Sequence, residues 1–404
     1  LAALLLAQRG VPVTLIEAES AWDQRWNPGR SYGINLNLRG QSALAAAGIL
    51  DTVRASSSPK RSIVVTSYEG VESTVDKSHE DLAIGRSALQ EVLLNAARDA
   101  PLVKLIEGMR LSGVERRWST WEEVSMGSPL YEMVLSLESG EEVRASHVVI
   151  ADGKRSCTRG LVSALAQREG SQEYEWAERF EKSWGVYLEI PQLPAEWRDD
   201  ATYLYRSKDF ANELVAIVQP LQGSKVSWMT NKGSKERRAS SYLIVFEKLA
   251  ERYPWLVPSE DMQGVLGDDP NPWDLRPYGS NKGDPVGERV KIWRRRLAWM
   301  LEEQMPQFAH AVGGDNPDGA VVQYAVLNKH ASWIELESAR YDALGGRAVL
   351  LGDSAHAMTP ALGEGCNVAL ESAQKLVVAI ADAVDAEAAK ACLLYTSDAA
   401  DEVD

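Results

Sequence analysis

Residues 348–367 read Ala-Val-Leu-Leu-Gly-Asp-Ser-Ala-His-Ala-Met-Thr-Pro-Ala-Leu-Gly-Glu-Gly-Cys-Asn, and few folds can use such a run. An apolar strand ends on Gly352 and Asp353, which sets a carboxylate where sugar or ribityl hydroxyls can donate to it. Pro360 stiffens the loop that follows. Gly363 and Gly365 let backbone amides come close to a flat ring or a pyrophosphate. Asn367 then opens a helix, whose amino end suits the anionic or electron-rich edge of a cofactor. A plain glycine-rich connection is the bland alternative. So many special residues at fixed spacing weigh against it.

The start of the chain fits the same kind of domain. Leu1 to Arg9 has an apolar helical pattern that stops at Gly10, and Val11-Pro-Val-Thr-Leu-Ile-Glu17 reads as a buried strand. A helix, a turn and a strand ending in an acid make the second half of a βαβ unit. In a dinucleotide fold that acid, here Glu17, accepts from ribose hydroxyls roughly 20 residues after a glycine loop. A helix that begins at Leu1 with no capping residue reads as a cut, with the glycine loop lying before it. At the other end, residues 392–404 resemble the translation of a sequencing-library adapter, and they are set aside from the fold expectations.

Between these ends, Gly40 to Gly48 and Ser87 to Ala100 read as helices, the second closed by Pro101. Val143 to Ile150 is expected as one strand ending on Ala151-Asp152-Gly153, and Asn367 to Val384 as a helix. The centre has another rhythm. Trp184 to Ile190, Ala201 to Tyr205, Glu213 to Gln219 and Lys225 to Thr230 are short, β-rich and separated by turn residues, as in an antiparallel sheet. Asp268 to Gly287 reads as loop. Arg289 to Met300 reads as a helix with its apolar face on Ile292, Trp293, Leu297 and Met300, while Arg294 to Arg296 form a solvated basic face.

Composition narrows the partners. The formal net charge is −15, which argues against nucleic acid or an anionic membrane as a binding surface. No apolar run approaches the roughly 18 residues of a membrane span. The three cysteines, Cys157, Cys366 and Cys392, have no metal spacing and make no disulfide framework, which fits a reduced, intracellular and cytoplasmic setting.

With the motifs in view, the chain resembles the flavoprotein hydroxylases of the para-hydroxybenzoate hydroxylase type. Gly352 to Asn367 follows their G-D-A-A-H-x-x-x-P-x-x-G-x-G-x-N pattern, with Ser354 the one departure. Asp152-Gly-Lys-Arg-Ser-Cys-Thr-Arg159 matches their D-G-x-x-S-x-x-R at every fixed position. Within that family the kynurenine 3-monooxygenase branch is the most similar. Leu6-Ala-Gln-Arg9, Ile16-Glu-Ala18, Gly29-Arg-Ser31, Leu36 to Gly40 and the helix after Arg86 resemble its segments. The resemblance covers most of residues 1–165 and 345–385.

The resemblance implies an α/β fold. A Rossmann-like FAD-binding domain of the glutathione-reductase type (1–60, 83–166 and 336–391) would carry an inserted mixed or antiparallel β-sheet substrate domain (61–82 and 167–335). It places Glu17, Arg30, Asn35, Arg86, Leu111, Asp152, Gly153, Gly352, Asp353, Pro360, Gly363, Gly365, Cys366 and Asn367 at cofactor positions. Arg61, Tyr203 and Trp228 are substrate candidates, although plain core packing is the commoner role for aromatic residues of a half-buried sheet. His356 belongs to the motif as a packed, hydrogen-bonded side chain, not as a base.

The implied activity is hydroxylation of an aromatic, kynurenine-like molecule with FAD, NAD(P)H and O2, through a C4a-hydroperoxyflavin. The alternatives are a flavin-dependent epoxidase or reductase acting on an isoprenoid, a non-catalytic flavin-binding scaffold, and a simple NAD-dependent dehydrogenase. A second cofactor motif disfavours the last. One departure concerns the substrate. Aligning Arg61 with the first of two family arginines leaves Ile63 at the second, the one that pairs a substrate carboxylate, and Val71 to Gly85 holds no tyrosine partner. An unpaired buried charge costs several kcal/mol, so a less charged aromatic or a terpenoid ring fits as well as kynurenine. Neither metal ligands nor a Ser-His-Asp arrangement stands out. Relatives with membrane-anchoring helices beyond this point leave organelle association open.

Overall fold

The computed structural model describes residues 1–18, 33–126, 130–154, 156–170, 178–181, 184–190, 194–208, 214–221, 238–245, 247–256, 285–313, 326–328, 333–336, 341–358 and 363–398. The predicted strand 225–230, Arg30, Trp228 and Pro360 lie outside these residues, as does most of the predicted loop 268–287.

The opening helix Ala2–Ala7 forms as expected, while the strand is Val13–Glu17, two residues shorter than the expected 11–17 and mostly half-buried instead of buried. The strand pairs in parallel with Val103–Glu107, Glu17 beside Glu107. Parallel pairing needs a crossover, and the helix Arg86–Asp99 leads directly into the second strand. A parallel pair also joins Val148–Ile150 to Ala348–Leu350, which brings the ends of the two sequence motifs side by side.

The predicted single strand 143–150 is instead two. Glu142–Ala145 pairs antiparallel with Tyr131–Leu137, whereas Val148–Ile150 has moved to a different sheet. The break falls at Ser146 and His147. There the Arg347 guanidinium reaches the Ser146 carbonyl at 3.4 Å and the His147 ring at 3.2 Å, and the Arg347 carbonyl accepts from Val148 N–H at 2.7 Å. A change of partner sheet cannot occur within an unbroken ladder, so the two residues turn out.

The centre is an eight-stranded sheet. Its order is Val326–Asn328, Trp184–Ile190, Arg238–Val245, Leu214–Leu221, Ala201–Arg206, Ser58–Thr66, Glu72–Gly85 and Gly33–Leu36. All neighbours are antiparallel except Ala201–Arg206 with Ser58–Thr66, so the sheet is mixed. One face packs under the helices Pro285–Gln304 and Pro306–Gly313. Val64, Tyr203, Tyr205, Ala216 and Val218 meet Leu297, Met300, Leu301, Met305 and Phe308 there in one apolar cluster. The predicted helix 289–300 therefore starts four residues earlier, on a proline whose missing N–H costs nothing in a first helical turn. Of the expected solvated basic face, Arg295 and Arg296 are exposed, while Arg294 is half-buried.

A separate cluster joins the edge of this sheet to the helices of the motif half. Ile34, Leu36, Leu82 and Ile84 pack with Leu44, Leu89 and Leu370. The helix after the Gly-Asp motif runs from Gly365 to Asp398, longer at both ends than the predicted 367–384. Leu370, Ala373 and Val377 are its buried stripe, while Ile380 lies exposed. Among the described residues no helix is long and apolar enough to cross a membrane, and no group of three or more metal-ligating side chains occurs.

Candidate functional site

The site grows from the ends of the two parallel motif strands. Gly352 sits at φ 60° and ψ −138°, a combination that belongs almost only to glycine, and an added Cβ would lie 3.2 Å from the Cβ of Ala369. This turn throws Asp353 out past the strand end. Ser354, the departure from the family pattern, points the other way and is fully buried. Its hydroxyl hydrogen lies between the carbonyls of Ile150 (2.5 Å) and Leu351 (2.7 Å), and its oxygen accepts from Leu351 N–H at 3.2 Å. A hydroxyl in place of a methyl thus ties together the two strand ends that display the motifs.

The Asp-Gly motif is braced against the same turn. Arg159, 2% exposed, donates to the Ser354 carbonyl at 2.8 Å and to the Lys154 carbonyl at 3.1 Å. Asp152 accepts from Thr158 N–H at 3.0 Å, and Ser156 caps the helix Cys157–Arg168 through Arg159 N–H at 2.9 Å. Gly153 has φ +87°, a left-handed conformation that glycine adopts without a Cβ penalty. Lys154, an unassigned position within the motif, is brought into the electrostatic environment of Asp353.

Asp353 is reached by solvent, yet enough protein surrounds it that desolvation raises its carboxyl above the ordinary range. Lys154, His356 and Arg86 oppose that shift. Cys366 follows the same logic. Burial pushes its thiol up to about 12, with Asp353 adding to the effect and Arg86 opposing it. Arg86, Asp353 and Cys366 therefore share one electrostatic neighbourhood, although they come from opposite ends of the chain. A Cβ on Gly365 would stand 3.9 Å from Asp353 Oδ1, and Gly363 has φ +63° with open space beside it. His356 Nε2 is 3.0 Å from Ser372 Oγ, a packed histidine as expected.

Three asparagines form the adjoining wall. Asn367, 1% exposed, accepts from Asn37 N–H at 3.0 Å and donates to the Asn35 carbonyl at 2.9 Å. Its side chain is thus spent on the backbone of the strand Gly33–Leu36 and the turn after it. Its role is to hold that turn, and the expectation that it meets a cofactor directly gains nothing from this geometry. Asn37 caps the helix Leu38–Ala46 and donates to both Glu364 oxygens, at 3.0 and 2.9 Å. Asn35 donates to the buried Asp81 at 2.8 Å, which leaves its own side-chain oxygen buried without a partner. Asn37, Glu364 and Lys154 are the residues the motif reading did not single out, whereas Arg159 is a fixed position of the Asp-Gly motif. An asparagine just before a helix was the available signal for Asn37.

Glu17 and Leu111 occupy a second locus. The Glu17 carbonyl accepts from Met109 N–H at 3.2 Å, two residues before Leu111 opens its strand. Two of the substrate candidates fall elsewhere. Arg61 is exposed and paired with Glu80 at 3.0 Å. Tyr203 lies on the helix-covered face, stacked on Trp197 at 4.5 Å with its hydroxyl accepting from Arg198 N–H. Tyr203 and Tyr205 are core, because alternation along the strand turns both away from the motif half.

The residues present suit a flavin dinucleotide. A carboxylate at a strand end, glycines with room beside them and a nearby arginine match its hydroxyls, ring edge and pyrophosphate.

Comparison with known proteins agrees with that fit. The profile of the family described as FAD binding domain matches residues 1–244 and 329–403. Kynurenine 3-monooxygenase of Drosophila melanogaster is 31% identical over 212 residues, which cover 51% of this chain and 42% of that protein. The Dictyostelium discoideum protein of the same name is 23% identical over 176 residues, 43% of this chain and 35% of that one. The matched stretch is thus less than half the length of either relative. Among solved structures, p-nitrophenol 4-monooxygenase PnpA from Pseudomonas putida superposes with a TM-score of 0.60 at 16% identity, covering 96% of this chain and 77% of that one. PqsL, a probable FAD-dependent monooxygenase from Pseudomonas aeruginosa, gives 0.57 at 17%, covering 95% and 83%.

Proposed function

The chain belongs to the FAD binding domain family of flavoproteins, and from that premise we propose that it is an FAD-dependent monooxygenase that uses NAD(P)H and O2 to hydroxylate an aromatic small molecule. The observation that carries the reading is the convergence of Asp353, Arg86 and Cys366 at the strand end braced by Ser354 and Arg159. When bound, FAD supplies the redox chemistry, taking a hydride from the nicotinamide and activating oxygen for transfer to the ring.

The chain's own residues bind and orient. Asp353 accepts hydrogen bonds from the cofactor's hydroxyls, and exchanging its partial desolvation for those bonds favours the ionised form it needs. Arg86 answers the pyrophosphate charge at the start of its helix. Gly363 and Gly365 leave the backbone N–H groups of the loop and helix start open to the ring edge. The asparagine wall keeps the turn at Asn37 fixed beside them, and precise placement is what such a reaction requires of a protein. The kynurenine 3-monooxygenase relatives support an aromatic substrate.

The test is NAD(P)H oxidation by the full chain supplied with FAD, across an aromatic panel that includes L-kynurenine, with hydroxylated product and peroxide measured together. Ring-stimulated oxidation with product is expected for at least one compound. Asp353→Ala is expected to weaken FAD binding at least tenfold with circular dichroism unchanged. Full flavin occupancy in that variant, or flavin bound without any stimulated oxidation, would overturn the proposal.

A further inference from the structure

The central sheet has two chemically different faces, and only one can meet a substrate. Beneath the helices 285–304 and 306–313, the sheet's Val64, Tyr203, Tyr205, Ala216 and Val218 are all buried. The opposite parity carries Ile63, Val65, Thr202, Leu204 and Ile217. Register sets Thr202 beside Ile63, and Leu204 between Val65 and Ile217. Pro59, of this same parity, lies opposite Leu82, which packs against the motif half together with Leu44, Leu370 and Cys366. Across the irregularity between Lys60 and Ser62, this face turns to the side of the Leu82 cluster, away from the helices 285–304 and 306–313. Ile63, Val65, Leu204 and Ile217 are only half-buried there, unlike their counterparts under the helices.

Thr202 is more deeply covered than these four, as Val215 and Gln219 of the same parity are. It is 7% exposed, and its hydroxyl is buried with no hydrogen-bond partner. An unsatisfied buried hydroxyl is unfavourable; those of Ser62 and Ser207 share the helix-covered parity, whereas Thr202 stands among half-buried side chains, where a ligand group can complete it. The arginines of this parity stand exposed toward the ends of their strands, Arg61 on Glu80 and Arg206 at the last residue of its own. The middle of the face thus offers apolar surface and two neutral polar side chains, the Thr202 hydroxyl and the Gln219 amide one position along the neighbouring strand, with no cation among its described residues to pair a carboxylate.

We propose that Thr202 is a specificity-determining residue: its hydroxyl hydrogen-bonds an uncharged aromatic substrate through a ring hydroxyl, amino or carbonyl group, and the apolar face around it discriminates against carboxylates. The inference rests on the flavin reading for its location, since oxygen transfer confines the ring to the space beside the cofactor. A substrate lacking a hydrogen-bonding group would leave the hydroxyl unpaired, and one bearing a carboxylate would bury a charge beside it.

The experiment is calorimetric titration of the full chain, with and without FAD, using 2-aminobenzamide and its near-isostere 2-aminobenzoate. The amide is expected to bind at least tenfold more tightly than the acid. Thr202→Val, which keeps shape and branching, is expected to weaken the amide about tenfold and leave the acid unchanged, while Thr202→Ser restores the amide to within about threefold. Equal binding of the two compounds, no loss in Thr202→Val, or no binding of either overturns the inference. Failure to bind FAD with the amide preference intact would overturn the flavin reading alone.

Discussion

At the scale of the single residue, burial against charge decides most of what this molecule does. Lys60 shows it outside the site. It is fully buried, donates to the Asp199 carbonyl, and desolvation lowers its ammonium to about 8 from 10.5, with Asp199 and Asp200 opposing and Lys77 assisting. The unfolded chain keeps the ordinary value, so between about 8 and 10.5 the unfolded state binds more protons than the folded one. Stability contributed by this group therefore rises with pH through that window, and below it the folded state carries the full cost of the buried charge. The span corresponds to roughly 3 kcal/mol. Urea unfolding of the wild type and Lys60→Met at pH 7.5 and 10 is expected to show the wild type gaining on the variant as pH rises. A pH-independent difference between the two would show that Lys60 titrates normally.

At the scale of the element, parity and partner exchange mattered most, and these were the features least legible beforehand. The strands expected at 11–17, 184–190, 201–205 and 348–352 and the helices expected at 40–48 and 87–100 are legible because period and punctuation agree there, and the structure shifts only their ends. The Gly-Asp and Asp-Gly motifs pointed to one site because both lie at strand ends, and those strands prove to be neighbours. Thr202 was passed over for Tyr203 because aromatic character outweighed alternation, and which parity faces the motif half depends on packing between segments far apart in sequence. The break at Ser146 is equally non-local, since Arg347 enforces it from 200 residues away. Asn367 joins both lessons: motif membership marked it, but only the fold shows that it grips the backbone at Asn35 and Asn37. Asn367→Leu would strand a buried carbonyl and an N–H, costing about 2–4 kcal/mol, and would press on Gly40, which packs directly against the asparagine amide. Denaturant titration is expected to show that loss together with weaker FAD binding. Unaltered flavin affinity would mean the turn holds its place without Asn367.

At the scale of the whole molecule, the site cannot be separated from the sheet. Arg86, Lys154, Asp353 and Cys366 come from three distant stretches, and the strand Glu72–Gly85 runs from the central sheet straight into the helix that begins at Arg86. That strand pairs with Ser58–Thr66 on one side and Gly33–Leu36 on the other, so opening the motif half removes an edge from the sheet and exposes the cluster around Leu82. Shared strands of this kind couple the halves more tightly than a linker would. A single cooperative transition is therefore expected when tryptophan fluorescence, which includes Trp197 in the helix-covered core, and flavin release are followed together in denaturant. Free FAD at 100 times its dissociation constant should raise the stability reported by both signals by about 2.7 kcal/mol, because a ligand that binds only the folded state stabilises whatever unfolds with its site. A tryptophan transition that stays in place while flavin release moves would show that the sheet folds independently of the site and that the shared strand transmits nothing between them.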